Sequence, residues 1–166
     1  MATAVFVPIS EYLNTTYRPD CDYVDGEVRE RNFGEFEHSS TQAEIGVWLH
    51  GKFPKGRRRV LPEQRVQVKE TRYRIPDVCV LAEDAPREAI IRTPPMLCVE
   101  ILSEDDRMSD ILVRVKDYFE MGVPVCWIID PLVKTGWVAT PGHLAEAVDG
   151  ILRAGALEMP LAEVLG

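Results

Sequence analysis

Two acidic residues interrupt strongly apolar segments of the sequence. Asp77 directly precedes the apolar residues 78–81, and Glu100 lies inside the segment MLCVEILS, residues 96–103. Aspartate is a poor strand former, and a charge inside a core is costly unless it is paired or binds a metal. If the two segments pair as strands, both carboxylates meet at one point. Hard oxygen ligands of this kind suit Mg²⁺ or Mn²⁺, which would lower the pKa of a bound water and bind phosphate oxygens.

The elements that would position these acids follow from the hydrophobic periodicity. Residues 37–52 have helical spacing, with Thr41, Ile45, Trp48 and Leu49 on one face. Residues 59–70 and 72–82 alternate as two strands joined by a tight turn, residues 96–103 form a third strand, and residues 124–130 form a fourth. Between the last two, a helix is predicted to start at Ser103, with Asp106 as a capping-box variant, and to end at Gly122. A short helix from Ser10 to about Tyr17 and a hairpin at the Asp-Gly turn of residues 25–26 precede this core.

The order of these elements predicts a mixed α/β (α+β) sheet flanked by helices. Three consecutive strands imply hairpins, and the final strand–helix–strand unit implies a parallel crossover. A chain of 166 residues fits a single domain, residues 1–166, with its core at about 37–131.

The bulk composition is typical of a soluble globular protein. Apolar residues make up 46% of the chain and charged residues 28%, and no apolar run approaches the roughly 20 residues of a membrane span. The N-terminus lacks the features of a signal peptide, so we expect a cytoplasmic protein. Cys79, Cys98 and Cys126 each lie in an apolar segment, which predicts buried free thiols in a reducing compartment, and no CxxC pair predicts zinc.

The charge distribution is uneven. Net charge is −8, yet nine of the 19 Lys and Arg residues fall between Lys52 and Arg74. Within that region stand Arg57, Arg58 and Arg59. They form either a solvated turn between a helix and a strand or an edge that faces nucleic-acid phosphates.

Several short segments, in their order and spacing, resemble a known family. They are YVDGEV, the EHS opening of the first core helix, PEQRV, PDVCV, VEILS and GVPVCWIIDP. Together they resemble the PD-(D/E)xK nuclease superfamily, and most closely the Uma-two family of restriction-endonuclease-like proteins. The resemblance implies an αβββαβ core and a Mg²⁺- or Mn²⁺-dependent DNA endonuclease. It also implies that Asp77 and Glu100 bind the metal with help from the Ile101 carbonyl.

The basic residue of the superfamily is displaced in this chain. Leu102 stands where the superfamily has its lysine, two residues after the second acid. In the similar group a basic residue comes from the next helix, four residues before a tyrosine, and counting back from Tyr118 gives Arg114. Lys116 is the alternative, although it points well off the apolar face. Arginine stabilises phosphate charge but does not deprotonate a water, and Arg114 could also simply cover the core edge.

Two polar residues of the first core helix are further candidates. His38 lies two turns before Ile45 on the apolar side, with Gln42 one turn on. Either His38 is merely satisfied near the core, or it faces the cleft of the two acids. In the second case it hydrogen-bonds a metal-bound water or a phosphate, and Gln42 contacts nucleic acid.

Three functions remain open on the sequence alone. The first is a divalent-metal-dependent DNA endonuclease, and the second is a catalytically degenerate nucleic-acid-binding or assembly module on the same fold. The third is an unrelated metal hydrolase of small phosphoesters. DNA is the predicted partner, no membrane contact is expected, and the apolar C-terminal segment suits pairing with a second copy of the chain.

Overall fold

The structure is a computed structural model that describes residues 5–32, 34–53, 55 and 59–166. Its helices are α1 (Ile9–Asn14), α2 (Phe36–Lys52) and α3 (Met108–Met121). Its strands are β1 (Asp22–Val24), β2 (Glu27–Arg29), β3 (Val60–Pro62), β4 (Val66–Lys69), β5 (Arg72–Arg74), β6 (Val78–Val80), β7 (Leu97–Ile101), β8 (Cys126–Asp130), β9 (Thr135–Thr140), β10 (His143–Glu146), β11 (Ile151–Ala154) and β12 (Leu157–Pro160). A short 3-10 helix, Leu161–Glu163, follows β12.

The central sheet is mixed, as the element order predicts. Its six strands lie in the order β10-β9-β8-β7-β6-β3. Strands β7 and β8 are parallel, with α3 as their crossover, and the other neighbours are antiparallel. This arrangement places β6 beside β7, so the segments that carry the two acids pair directly.

Alternation along the strands divides the core into two layers. Residues 97, 99 and 101 of β7 pack with Ile45 and Leu49 of α2 and with the C-terminal hairpin β11–β12. Cys98 and Leu102 pack instead with the buried face of α3, around Ile111 and Val115. Glu100 has the same parity as Cys98, so its side chain points toward α3.

A second sheet corrects the prediction of two long strands. Its order is β2-β1-β5-β4, so the predicted strand 59–70 is split into β3 and β4, and the predicted strand 72–82 into β5 and β6. Each long segment therefore crosses from one sheet to the other. Glu63 adopts a positive φ of 48°, and Pro76 has no N–H to donate to a ladder. These residues interrupt the ladders and place Asp77 at the junction of the two sheets.

The predicted helix starts are wrong in two places. Helix α1 begins at Ile9 after Pro8 and ends at Asn14, and no side chain caps it, so Ser10 lies inside the helix. Helix α3 begins at Met108, because Arg107 is extended. The Ser103–Asp106 pattern closes a separate turn, in which the Ser103 N–H donates to Asp106 Oδ2 at 2.8 Å. The predicted end of α3 is confirmed: Gly122 adopts a φ of 112°.

The predicted state of the cysteines agrees with the structure. Cys79, Cys98 and Cys126 are buried and free, as is Cys21. Burial raises the pKa of Cys79 to about 12, which keeps this thiol protonated and unreactive. In the part of the chain that the structure covers, no helix has the length and apolarity needed to cross a bilayer.

Candidate active site

Asp77 and Glu100 lie opposite each other across the β6–β7 pair. The antiparallel register pairs Val78 with Val99, and one further step places Asp77 against Glu100. Residues opposite each other in an antiparallel pair point to the same face of a sheet. The two acids therefore converge. Both are almost completely inaccessible to solvent, with 1% exposure for Asp77 and 0% for Glu100.

Asp77 is held on both carboxylate oxygens. Its Oδ2 accepts the Ile101 N–H at 2.7 Å, which ties it to the neighbouring strand. Its Oδ1 accepts a hydrogen bond from Arg31 Nη2 at 2.6 Å and lies 3.3 Å from His38 Nε2. The Asp77 backbone carbonyl accepts a bond from the Gln42 amide at 2.9 Å. Helix α2 and the segment after β2 thus both converge on this one carboxylate.

Glu100 is held from helix α3. Its Oε2 accepts a hydrogen bond from Arg114 Nη1 at 3.0 Å, and its Oε1 accepts one from the Tyr118 hydroxyl at 2.6 Å. Residues 114 and 118 are one turn apart on a helix, so they present their polar ends to the same spot. The apolar stem of Tyr118 packs in the α3 layer while its hydroxyl reaches the acid.

Arg114 is also the first link of a chain of alternating charges. It lies between Glu100 and Asp22, whose Oδ2 is 3.5 Å from Arg114 Nε. The chain starts at Glu100 in β7, passes through residues of α3, β1 and β5, and ends just after β1, in the order Glu100, Arg114, Asp22, Arg74, Asp117, Arg72 and Asp25. Because Arg74 and Asp117 are buried, this chain fixes the orientation of α3 against the small sheet.

The environment shifts the ionisation of the acids in opposite directions. Burial alone would raise the pKa of Asp77, but the His38 hydrogen bond and the Arg31 charge outweigh it and hold that pKa below its usual value. For His38, burial is likewise outweighed by the bond to Asp77, and its pKa is raised. Burial raises the pKa of Glu100 to about 7, although the charge of Arg114 opposes this. Asp77 is therefore an anion at neutral pH, whereas the pKa of Glu100 lies near neutral pH.

A measurable pH dependence of stability follows from Glu100. A carboxyl whose pKa rises from 4.5 to about 7 on folding stabilises the native state below pH 4.5 and loses this contribution as the pH rises through 7. We expect the free energy of unfolding to fall by on the order of 2 kcal/mol between pH 5 and pH 8. Urea denaturation across this range measures it. Glu100→Gln should flatten the dependence, and His38→Gln should leave most of it in place. An unchanged slope in Glu100→Gln would contradict the assignment.

Not all of the other predicted site residues lie beside Asp77 and Glu100. Lys116 is exposed on α3 and makes no contact with either acid, in contrast to Arg114. Arg59 donates to the Leu81 carbonyl at 2.7 Å and lies over the Phe53 ring, so its guanidinium supports the fold. Arg57 and Arg58 lie outside the described residues. The roles of all these residues stay predictions.

Sequence reasoning missed Arg31 and Asp22. Arg31 lies 46 positions before its partner Asp77, and Asp22 lies 52 positions before Arg74. Both come from the region of the N-terminal hairpin, which precedes the predicted core. No local periodicity or spacing marks such long-range ion pairs, so no signal in a single sequence would have found them.

A small cavity of about 70 Å³ opens at the acids. Its lining includes Arg31, His38, Gln42, Asp77, Ile101 and Arg114. Glu100 lies behind this lining, beneath Arg114. The cavity lining therefore combines the guanidinium groups of Arg31 and Arg114 with the carboxylates of Asp77, Asp106 and Glu63.

The acids are of the type that binds the divalent metal predicted from the sequence, but their oxygens are already occupied. Carboxylates and a backbone carbonyl are the oxygen ligands that Mg²⁺ and Mn²⁺ prefer. Here, however, each oxygen of Asp77 and Glu100 already accepts a hydrogen bond, and Arg31 is ion-paired with Asp77. Among the described residues, no group of three or more His, Cys, Asp or Glu side chains is placed to hold a metal ion. In this arrangement the residues do not fit a divalent ion.

The mixed sheet, the crossover helix and the paired acids define a restriction-endonuclease-like fold. A solved structure described as "a putative nuclease belonging to DUF820 from Anabaena variabilis ATCC 29413" is similar over 95% of this chain and 97% of that one, with a TM-score of 0.81. At 20% sequence identity this likeness shows the fold alone.

The sequence itself identifies the family. Residues 9–154 match the model of the Uma2 (Uma-two) family, described as "Putative restriction endonuclease", and the chain belongs to this family. No curated protein has significant sequence similarity to it. The family and the fold together support a nuclease role.

Proposed function

We propose that this protein is a DNA endonuclease that hydrolyses phosphodiester bonds at the Asp77 cavity. One observation carries the proposal: the paired acids of a nuclease fold meet at a cavity lined by Arg31, His38 and Arg114. The two guanidinium groups bind and neutralise a backbone phosphate. Asp77 orients His38, and His38 accepts a proton from the attacking water.

Other residues support binding around this cavity. Gln42 bonds the Asp77 backbone and also lines the cavity, which supports the proposal that it contacts a nucleotide there. The basic stretch Arg57–Arg59 follows α2 in sequence and is proposed to contact DNA phosphates beyond the cavity. A single domain and a second copy of the chain as partner remain predictions.

The direct test is cleavage of supercoiled and linear DNA by the purified protein in Mg²⁺, in Mn²⁺ and in EDTA. We expect cleavage to fall by about 100-fold or more in Asp77→Asn, because this change keeps the shape of the side chain but removes the charge that holds Arg31 and His38. Asp84→Asn is the matched control, since Asp84 is exposed on the loop between β6 and β7. Equal activity of the two variants would refute the proposed role of Asp77. The three ionic conditions decide whether Mg²⁺ or Mn²⁺ is the cofactor.

A second function is favoured by a specific observation. Both acids are ion-paired with arginines, which leaves neither carboxylate free to bind the divalent metal that the sequence predicts for cleavage. Under this alternative the protein is a DNA-binding module, and it retards DNA in a gel while no condition yields cleavage. Wild-type cleavage above that of Asp77→Asn would exclude it.

A further inference from the structure

Arg31 pairs with Asp77 Oδ1, an oxygen that would have to be free for Asp77 to bind a metal ion there. Its side chain is only 10% exposed, and its Nη2 lies 2.6 Å from Asp77 Oδ1. Arg31 is also close enough to Glu100 and Asp22 for both charges to raise its pKa. One guanidinium therefore occupies an oxygen of Asp77, the acid that lines the cavity.

The segment that carries Arg31 is anchored. The neighbouring Asn32 donates to Asp106 Oδ1 at 2.8 Å, and the other oxygen of Asp106 accepts the Ser103 N–H. This chain of bonds ties the segment after β2 to the turn before α3. Arg31 is therefore held in place by its backbone as well as by its own ion pair.

Two buried nitrogen atoms at the cavity have no hydrogen-bond partner among the residues that the structure describes. They are Arg31 Nε and His38 Nδ1, on side chains that are 10% and 11% exposed. The Nε–H of an arginine is always a donor, so its missing partner is an oxygen or another acceptor. Buried donors are satisfied in native structures, and here a ligand oxygen can supply the acceptor.

The unpartnered Nε–H of Arg31 favours an anionic oxygen as that ligand. Arg31 balances Asp77, and Arg114 lies between Glu100 and Asp22. Asp106 and Glu63 also line the cavity. Both oxygens of Asp106 accept hydrogen bonds from the protein, and Glu63 is exposed to solvent. A divalent cation would meet two guanidinium groups at close range, whereas a phosphate would be attracted by both.

We propose that Arg31 and Arg114 take the place of the divalent cation, so that the cavity binds a DNA phosphate without a metal ion. This inference rests on the proposed function, because it concerns the same site and the same substrate. The proposal predicts two results that differ from the expectation for the fold class. Phosphate binding persists in EDTA, and the wild-type protein does not bind Mn²⁺ at Asp77.

The first experiment measures binding of a short fluorescent DNA duplex in EDTA by anisotropy. Arg31→Gln should weaken binding by about tenfold or more, since a charge-assisted bond to phosphate is lost. Arg87→Gln removes the same charge from the exposed loop between β6 and β7 and should have little effect. Arg31→Lys keeps the charge and should bind at an intermediate level, which guards against misfolding of the glutamine variant. Equal binding by Arg31→Gln and Arg87→Gln would overturn the inference.

The second experiment measures Mn²⁺ binding by electron paramagnetic resonance, without DNA. Wild type should show no site that depends on Asp77, and Arg31→Met should gain one, because the Asp77 oxygen is released. Adding Asp77→Asn to Arg31→Met should remove it again. An Mn²⁺ site in the wild type that Asp77→Asn abolishes would overturn the inference.

The two proposals fail in different ways. DNA cleavage together with an Asp77-dependent Mn²⁺ site in the wild type would support the nuclease and refute the replacement of the metal. Binding in EDTA that depends on Arg31, without cleavage in any condition, would support the replacement and refute the nuclease.

Discussion

Arg114→Ala is expected to remove most DNA cleavage and to destabilise the protein, whereas Lys116→Ala changes neither much. Arg114 is bonded to Glu100 and lies beside Asp22, so its loss leaves the buried Glu100 without its ion-pair partner and removes one of the two arginines beside Asp22. Breaking a buried pair in this way costs about 3–5 kcal/mol. Loss of a phosphate-stabilising charge lowers the rate by roughly 100- to 1,000-fold. Lys116 is exposed on the same helix.

Urea denaturation and cleavage assays at a temperature where all variants are folded separate these two effects. Arg114→Lys should keep or raise cleavage, because lysine is the usual basic residue of the superfamily. Cleavage that is lost in Lys116→Ala and retained in Arg114→Ala would show that the other residue of α3 is the functional one.

Arg74→Met is expected to lower the free energy of unfolding by about 3–5 kcal/mol. The Arg74 side chain is 3% exposed, and it bonds Asp117 Oδ2 at 2.8 Å and Asp22 Oδ2 at 3.1 Å. Methionine fills a similar volume but leaves both carboxylates without this cation. Arg153→Met makes the same change in an exposed ion pair with Asp149 and Glu158, and should have little effect.

Denaturation of both variants in parallel measures the difference. A small effect of Arg74→Met would mean that the alternating charges contribute little net stability, as some buried ion pairs do. If Arg74→Met does lower the free energy of unfolding, adding Asp22→Asn tests the cause. The double variant should recover stability if the uncompensated Asp22 charge is responsible for the loss.

The sequence predicted the parts of the fold that depend on local patterns. The apolar faces of α2 and α3 and the pairing of the acidic segments follow from periodicity and element order. The splitting of residues 59–82 between two sheets was not predicted, because alternation continues through Glu63 and Pro76 while the ladder partners change. Periodicity reports which side chains are buried, not against which strand they pair.

The candidate site, like the fold, was predicted only in part. Asp77 and Glu100 stand out because each breaks an apolar pattern, and helix geometry placed Arg114 nearer the sheet than Lys116. The partners of these acids were not foreseen, since Arg31 and Asp22 lie in a hairpin region without any such break. When a polar residue lies in a polar segment, the local sequence does not indicate that it will form a buried ion pair.

The position of Arg114 between two carboxylates has a consequence for how the family diverges. A guanidinium can serve Glu100 and Asp22 together, whereas the single ammonium of a lysine cannot span both with equal geometry. Substitutions at these positions should therefore be correlated among homologues. Members with lysine at the position of Arg114 should tend to have an uncharged residue at the position of Asp22, and members with arginine should retain the acid. An alignment deep enough to show covariation would display residues 22 and 114 as a coupled pair, although they are far apart in the chain.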